Sequence, residues 1–169
     1  MGQRDRRDHD ANRRSMITAH LPSGYVPGRL WPAAPLVLPA ALIGGVLPDF
    51  DLIWFYLVDD RAVHHHRYWV HVPAFWAMVA GISLPLVALL ARRYLLAAAA
   101  FFAALILHVS LDTISGDIMW QWPWSDRFTH LVTIPARWDN WVLNFVLHWV
   151  FALELVVWAL AIFLYRRRP

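Results

Sequence analysis

Histidine and aspartate side chains recur where apolar segments of the chain begin or end. The strongest local signal is the pair His108 and Asp112, four residues apart near the end of an apolar stretch. If this stretch is helical, the two side chains share one face. They could then bind one divalent cation together, or form a simple hydrogen bond that stabilises helix packing. Placing a charged group near lipid costs free energy, so a charged residue there normally has a partner. Either arrangement would provide one for Asp112.

Two further clusters carry the same side-chain types. Pro48-Asp49-Phe50-Asp51 places two carboxylates at the end of the first apolar stretch, where a turn would let them converge or where both could simply be solvated. Four histidines stand at the entry to the second stretch: His64, His65, His66 and His71. Neutral imidazole is a common metal ligand, and a solvated or pH-responsive loop is the alternative for this histidine run.

The three clusters together offer imidazole nitrogens and carboxylate oxygens, and no thiolate, because the chain has no cysteine. This donor set is typical of a hydrolytic cation site, with Zn²⁺ as first choice and Mn²⁺ or Mg²⁺ as alternatives. Such a cation would activate water. The predicted metal ligands are Asp49, Asp51, His66, His71, His108 and Asp112, and the predicted catalytic groups are Asp49, Asp51 and Arg67. Arg67 could hold an anionic substrate group or serve as an interfacial anchor.

The elements that must position these side chains are membrane helices. Hydrophobic residues make up 59% of the 169 residues, and the mean hydropathy is +0.42. This composition is too apolar for a soluble domain. Four stretches approach or exceed the roughly 20 apolar residues that cross a bilayer, namely 30–47, 69–91, 94–113 and 141–165. We predict an all-α, polytopic membrane bundle of about four helices that forms one domain over residues 16–169.

The first apolar stretch is not expected to form one regular, continuous helix. It contains several prolines, among them Pro39, which should kink its middle, and the pair Gly44-Gly45. His20 precedes the stretch. If the stretch crossed the whole membrane, His20 would therefore lie on the membrane face opposite Asp49. A broken or partly re-entrant segment would bring both residues to one side, if its backbone groups are buried in protein. On that condition, His20 joins the predicted metal ligands.

The charged residues outside the apolar stretches bear on topology. Residues 1–15 mix arginine and aspartate without apolar periodicity, which predicts a disordered tail.

The distribution of arginine bears on the orientation of the helices. Six arginines lie in residues 1–30, two in the turn at 92–93 and three at the C-terminus, against four in the remaining loops. The positive-inside rule then predicts that both termini of this multi-pass protein are in the cytoplasm. The expected location is the cell (inner) membrane. Arginines placed by topology give no reason to expect nucleic acid as a ligand.

At these residues the chain resembles the YdjM-like family of membrane-bound metal-dependent hydrolases, of the LexA-regulated type. The matching elements, in the family's order, are Met16-Ile-Thr-Ala-His20, Leu47-Pro48-Asp49-Phe50-Asp51, His66-Arg67-Tyr68-Trp69-Val70-His71, and His108 with Asp112 and Gly116, followed by Trp122-Pro123. The resemblance covers residues 16 to about 125. Each motif is short, and their shared order on a multispan chain makes the match specific. The small residue and hydroxyls that the family usually has around its second histidine are replaced here by Tyr68-Trp69-Val70-His71-Val72.

The resemblance implies a membrane-bound enzyme that hydrolyses an ester or phosphoester by metal-activated water. Its substrate would be a small molecule or a lipid-derived compound that arrives through the bilayer. The order of histidines and aspartates is also distantly similar to that of zinc-dependent phospholipase C, which favours a phosphoester. Two other hypotheses remain open, an ion-binding transporter or channel and a structural stress-response membrane protein with a vestigial metal site. The lipid bilayer is a predicted partner, and protein partners are left open.

Overall fold

Helices connected by short 3-10 segments make up nearly all of the regular structure. The structure is a computed structural model that describes residues 18–30, 34–60 and 65–167. Its α-helices are α1 (His20–Leu30), α2 (Val37–Val46), α3 (Asp51–Leu57), α4 (Pro73–Leu90), α5 (Leu95–Ser115), α6 (Trp141–Val146) and α7 (Val150–Arg166). The 3-10 segments are Leu47–Phe50, His65–Arg67, Trp69–His71 and Arg92–Tyr94. The all-α prediction is confirmed, and the predicted tail at residues 1–15 lies outside the described residues.

Among the residues that the structure describes, three helical runs are long and apolar enough to cross a bilayer: Val37–Leu57, Pro73–Leu90 and Arg92–Ser115. The predicted last helix is interrupted at residues 147–149, between α6 and α7. α7 has 17 residues. At 1.5 Å per residue it is about 25 Å long, slightly short of a ~30 Å hydrocarbon layer. The described part of the chain therefore includes three candidate membrane spans and a shorter fourth apolar helix.

The outer face of α4 is apolar and exposed, as expected for a helix that contacts lipid. Ile82, Leu89 and Leu90 are 66%, 81% and 83% exposed, respectively. In water, a continuous apolar face of this kind would favour aggregation or a partner, whereas hydrocarbon covers it without cost. The exposure pattern of α4 thus agrees with the membrane assignment made from hydropathy.

α1 and α2 form a short antiparallel hairpin, which resolves the conflict over His20. The backbone of α1 at Gly24 meets α2 at Ala41, and the carbonyl of His20 lies beside Gly45. α1 therefore leads away from the end of the bundle where α2 finishes. Because α1 has 11 residues, it extends only about 16 Å. His20 and Asp49 consequently lie at the same end, as the prediction of a broken or partly re-entrant first segment required.

One expectation about a proline in this region was wrong. α2 ends at Val46, close to the predicted end near Leu47, and the chain continues through the 3-10 segment Leu47–Phe50 into α3. Pro48 has no N–H and interrupts the α-helical ladder, and the chain tightens there into a 3-10 turn. Pro39 does not kink the middle of the helix, because α2 begins at Val37. Pro39 therefore lies in the first turn, where backbone N–H groups lack helical partners anyway.

Small residues let α2 pack closely between α1 and α5. A Cβ atom on Gly44 would overlap the carbonyl of Phe101 in α5. The buried core at this contact consists of Val37, Ala41, Ala97, Ala100 and Ala104. In membranes, helices associate through such close backbone contacts. α2 and α5 are thereby held parallel, which brings the end of α2 beside the last two turns of α5.

Thr18 and Arg167, the first and last described residues, lie at opposite ends of the bundle. Thr18 hydrogen-bonds Glu154, near the start of α7, whereas Arg167 follows its C-terminus. The arginine count treated residues 1–30 as one group, although α1 separates Thr18 from Arg29. That count therefore does not fix the orientation. The prediction that both termini are cytoplasmic stays a prediction.

Candidate metal centre

Side chains singled out in the sequence converge around Asp112, at one end of the bundle. Asp112 and His108 lie in the last two turns of α5, and His20 opens α1. The other members come from the 3-10 segments and from α3: Asp49 from Leu47–Phe50, Asp51 from the start of α3, His66 from His65–Arg67 and His71 from Trp69–His71. The cluster therefore depends on elements that are far apart in the chain.

Imidazole nitrogens surround the carboxylate of Asp112. The Nε2 atom of His20 lies 3.4 Å from Oδ1. The Nε2 atoms of His108, His71 and His66 lie 3.1, 3.5 and 3.9 Å from Oδ2. Two ligand atoms that are each about 2.0–2.1 Å from one zinc ion, at a tetrahedral angle, are about 3.4 Å apart. The observed separations are those expected between ligands of a shared cation.

The donor atoms form two adjacent groups of three. His20, Asp49 and His108 make one group, and His66, His71 and Asp112 make the other, with the atoms of each group within 4.8 Å of one another. His108 Nε2 lies 3.8 Å from Asp49 Oδ1, and the Asp49 side chain is 28% exposed. The other five donors are buried. The arrangement has room for one cation or two, with its single half-exposed carboxylate in the first group.

Backbone carbonyls fix the orientation of two of the imidazoles. Nδ1 of His108 lies 2.8 Å from the carbonyl oxygen of Gly45, and Nδ1 of His66 lies 3.1 Å from that of Asp117. Because a carbonyl can only accept, each Nδ1 must carry the hydrogen and donate it. In the neutral rings the lone pair is then on Nε2, the atom that faces Asp112. Metal-binding histidines are commonly oriented by an acceptor in this way.

Asp51 lies behind His71 instead of beside the other donor atoms. Its Oδ2 is 2.8 Å from Nδ1 of His71, whose Nε2 faces Asp112. Carboxylates in this position orient a metal-binding histidine and increase its basicity. The sequence grouped Asp51 with the direct ligands, whereas the structure places it in a supporting position.

The cluster needs positive charge near Asp112. Both carboxylate oxygens of Asp112 and Nε2 of His108 are buried and have no hydrogen bond within the described part of the chain. A buried polar atom left unsatisfied costs roughly 1–3 kcal/mol. Burial lowers the pKa of the His71 imidazole, but the adjacent carboxylates of Asp112 and Asp51 raise it to about 9. A proton or a cation must therefore balance the carboxylates, and this sulfur-free donor set fits a divalent cation.

Comparison with known proteins gives one result. Residues 16–168 match the profile of the family described as YdjM inner membrane protein. The chain belongs to the YdjM inner membrane protein family. No curated protein and no solved structure matches it. The YdjM match covers α7 and agrees with the apolar spans, and the likeness to zinc-dependent phospholipase C receives no support from these comparisons.

Arg67 does not belong to the cluster of this YdjM family member. It follows the buried His66, but its own side chain is exposed. Among the described residues it forms no ion pair with an aspartate. A role for Arg67 in holding a substrate therefore stays a prediction. His64, from the same predicted histidine run, lies outside the described residues.

Asp117 is a contributor that the sequence reasoning missed. Besides the carbonyl that accepts from His66, it has a carboxylate whose Oδ1 lies 2.7 Å from Nδ1 of His130. Nε2 of His130 lies 3.2 Å from Oγ1 of Thr133. The available signal was its place directly after Gly116 in the fourth YdjM-like motif. Asp117 thus links the orientation of His66 to the loop that follows α5.

Proposed function

We propose that this YdjM family member is a membrane-embedded hydrolase that depends on a divalent cation and acts on an ester or phosphoester, in a lipid or lipid-like substrate. One observation carries the proposal: two adjacent groups of buried nitrogen and oxygen donors converge around Asp112 at the end of apolar helices. Family membership supports the membrane location. Hydrolysis is our inference from the chemistry of these donors.

Six side chains would hold the cation, and Asp51 would orient His71. The proposed ligands are His20, Asp49, His66, His71, His108 and Asp112. A set with four imidazoles favours Zn²⁺, with Mn²⁺ next, because Mg²⁺ prefers oxygen donors. When bound, such a cation would activate water and stabilise negative charge that develops on the scissile group.

The more exposed residues would act on the substrate. Among the six donors Asp49 is the half-exposed one, so its carboxylate could accept a proton from the attacking water. Arg67 is exposed next to His66, where its planar guanidinium could bind an anionic substrate group. The apolar outer faces of the helices would allow a lipid to approach from the bilayer.

Metal analysis of purified protein tests the first step of the proposal. We expect stoichiometric Zn²⁺ or Mn²⁺ in the wild type and its loss in Asp112→Asn and His108→Ala. Asp126→Asn is a matched control, because Asp126 is exposed and outside the cluster. A wild type that contains no metal, and takes up neither cation on reconstitution, would end the hydrolase proposal.

Turnover assays test the second step. The metal-loaded protein would be given phosphodiester, phosphomonoester and carboxyl-ester substrates, each in a soluble and a lipid form. We expect turnover of at least one class in the wild type and none in Asp112→Asn. An occupied site with no turnover on any class would instead favour the ion-binding transporter or the structural protein.

A further inference from the structure

Glu154 is a fully buried carboxylate in α7 and the only glutamate in the chain. The hydroxyl of Thr18 donates to its Oε2 at 2.6 Å, and the backbone nitrogen of Thr18 lies 3.3 and 3.4 Å from its two oxygens. Ionisable residues within apolar spans normally have a partner. The partner here includes the first described residue, 136 positions earlier in the chain.

Trp158 binds the same hydroxyl from one turn further along α7. Its Nε1 donates to Oγ1 of Thr18 at 3.1 Å. Glu154 and Trp158 are four residues apart and therefore share a helix face. The Thr18 hydroxyl accepts from Trp158 and donates to Glu154, and in such a chain each hydrogen bond polarises the next. We refer to Glu154 and Trp158 together as the α7 clamp.

The α7 clamp holds the chain two residues before His20. Ala19, between them, is fully buried. The first turn of α1 is secured by Ser23, whose N–H donates to the Ala19 carbonyl at 2.8 Å and whose hydroxyl donates to the His20 carbonyl at 2.7 Å. The carboxylate of Glu154 also lies at the N-terminus of α1, where the helix dipole favours negative charge. The start of α1 is therefore fixed to α7.

His20 meets the candidate metal centre on its other side. Its ring stacks on that of His108 with centroids 3.8 Å apart, and its Nε2 lies 3.4 Å from Oδ1 of Asp112. Helix ends fray most readily where few contacts hold them. We propose that the α7 clamp positions His20 as a ligand, by holding Thr18 so that the imidazole stays beside Asp112. This inference rests on the proposed function, because His20 acts there as a cation ligand.

Cation affinity in a double-mutant cycle tests the positioning role. Glu154→Leu and Thr18→Val should each lower Co²⁺ affinity by about 10–100-fold, as expected when a group that orients a metal ligand is lost. The Co²⁺ absorption spectrum of Glu154→Leu should resemble that of His20→Ala, because the same ligand is lost. Glu154→Gln retains one acceptor oxygen and should recover part of the Co²⁺ affinity.

The double-mutant cycle uses a His20→Ala background, in which Glu154→Leu should cause no further loss of Co²⁺ affinity. A further loss of similar size in that background would overturn the proposal.

Trp158→Phe removes the indole N–H donor together with part of the ring, and it should also lower the Co²⁺ affinity. Trp124→Phe is its matched control, because Trp124 is 89% exposed.

Hydrogen exchange then separates failure of the clamp from failure of the proposed function. Amides of residues 18–24 should exchange faster in Glu154→Leu, with or without metal, while those of α4 stay unchanged. A metal-free wild type would refute the proposed function and, with it, the ligand role of His20, whereas unchanged exchange in residues 18–24 would refute the clamp itself.

Discussion

Asp112 is the residue on which the candidate metal centre depends most. Its two oxygens face the Nε2 atoms of four histidines, contributed by α1, α5 and two 3-10 segments. An ionised carboxylate can accept from several directions at once. An asparagine in its place would keep the shape but would lose the charge and one acceptor. The four imidazoles would then face an amide that cannot hold them around a cation.

Asp51→Asn should weaken cation binding without abolishing it. The amide oxygen could still accept from Nδ1 of His71, but the negative charge that makes the imidazole more basic is lost. We expect Zn²⁺ affinity to fall by about 10–100-fold, measured by competition with a chelating indicator. Asp126→Asn should bind as the wild type does. Complete loss of metal in Asp51→Asn, equal to that in Asp112→Asn, would show that Asp51 is itself a ligand.

Cation affinity should increase with pH. The pKa of about 9 means that metal-free His71 is protonated at neutral pH, so a cation must displace that proton. Lower pH stabilises the metal-free state, and each displaced proton changes the apparent affinity by about tenfold per pH unit. Zn²⁺ titrations between about pH 6 and 8 would measure the slope. An affinity that does not change over this range would contradict the predicted involvement of His71.

At the scale of elements, the hairpin of α1 and α2 decides whether the centre can form. It brings His20 back to the end of the bundle where Asp49 lies. The carbonyl of Gly45 near the end of α2 also orients His108 in α5. Close packing of α2 is therefore coupled to the geometry of the donors.

Gly24→Ala should destabilise the protein because α1 and α2 touch there. The added Cβ would lie 2.6 Å from the backbone carbonyl oxygen of Ala41. Overpacking of this kind typically costs about 1–3 kcal/mol. Gly81→Ala is the matched control, because a Cβ at Gly81 has no atom within 4 Å, and alanine favours the helix by about 1 kcal/mol. Thermal unfolding in detergent should show a lower midpoint for Gly24→Ala only. Equal midpoints for the two variants would contradict the close hairpin contact.

At the scale of the whole molecule, the bundle has two chemically different ends. The candidate metal centre and the loop after α5 lie at one end. The tight turn Arg92–Tyr94, the end of α1 and the end of α7 lie at the other. A membrane would thus place the donors and the arginine turn on opposite sides.

Single cysteines test this arrangement directly, because the chain has none of its own. Arg93→Cys, in the turn between α4 and α5, and Arg127→Cys, in the loop after α5, should react with a membrane-impermeant thiol reagent from opposite faces. Labelling intact and permeabilised cells would measure this. Both residues are exposed, so burial would not mask the result. Labelling of both from the same face would contradict the predicted spans.

The sequence by itself determined that this is a helical membrane protein and which side chains could bind a cation. Transfer of an apolar segment into lipid depends on its local composition, which can be read without knowing the fold. The preference of His71, His108 and Asp112 for a divalent cation likewise belongs to their side-chain chemistry. The short motifs were sufficient to indicate the YdjM family.

Only the tertiary structure decided which of these groups meet. The direction of α1, and with it the side of His20, follows from contacts with α2. The position of Asp51 behind His71 and the bond from Thr18 to Glu154 join residues that are distant in the chain. The acceptors at Gly45 and Asp117 are backbone carbonyls, which every residue possesses. Such relations arise from packing between segments, and no local pattern of residue types records them.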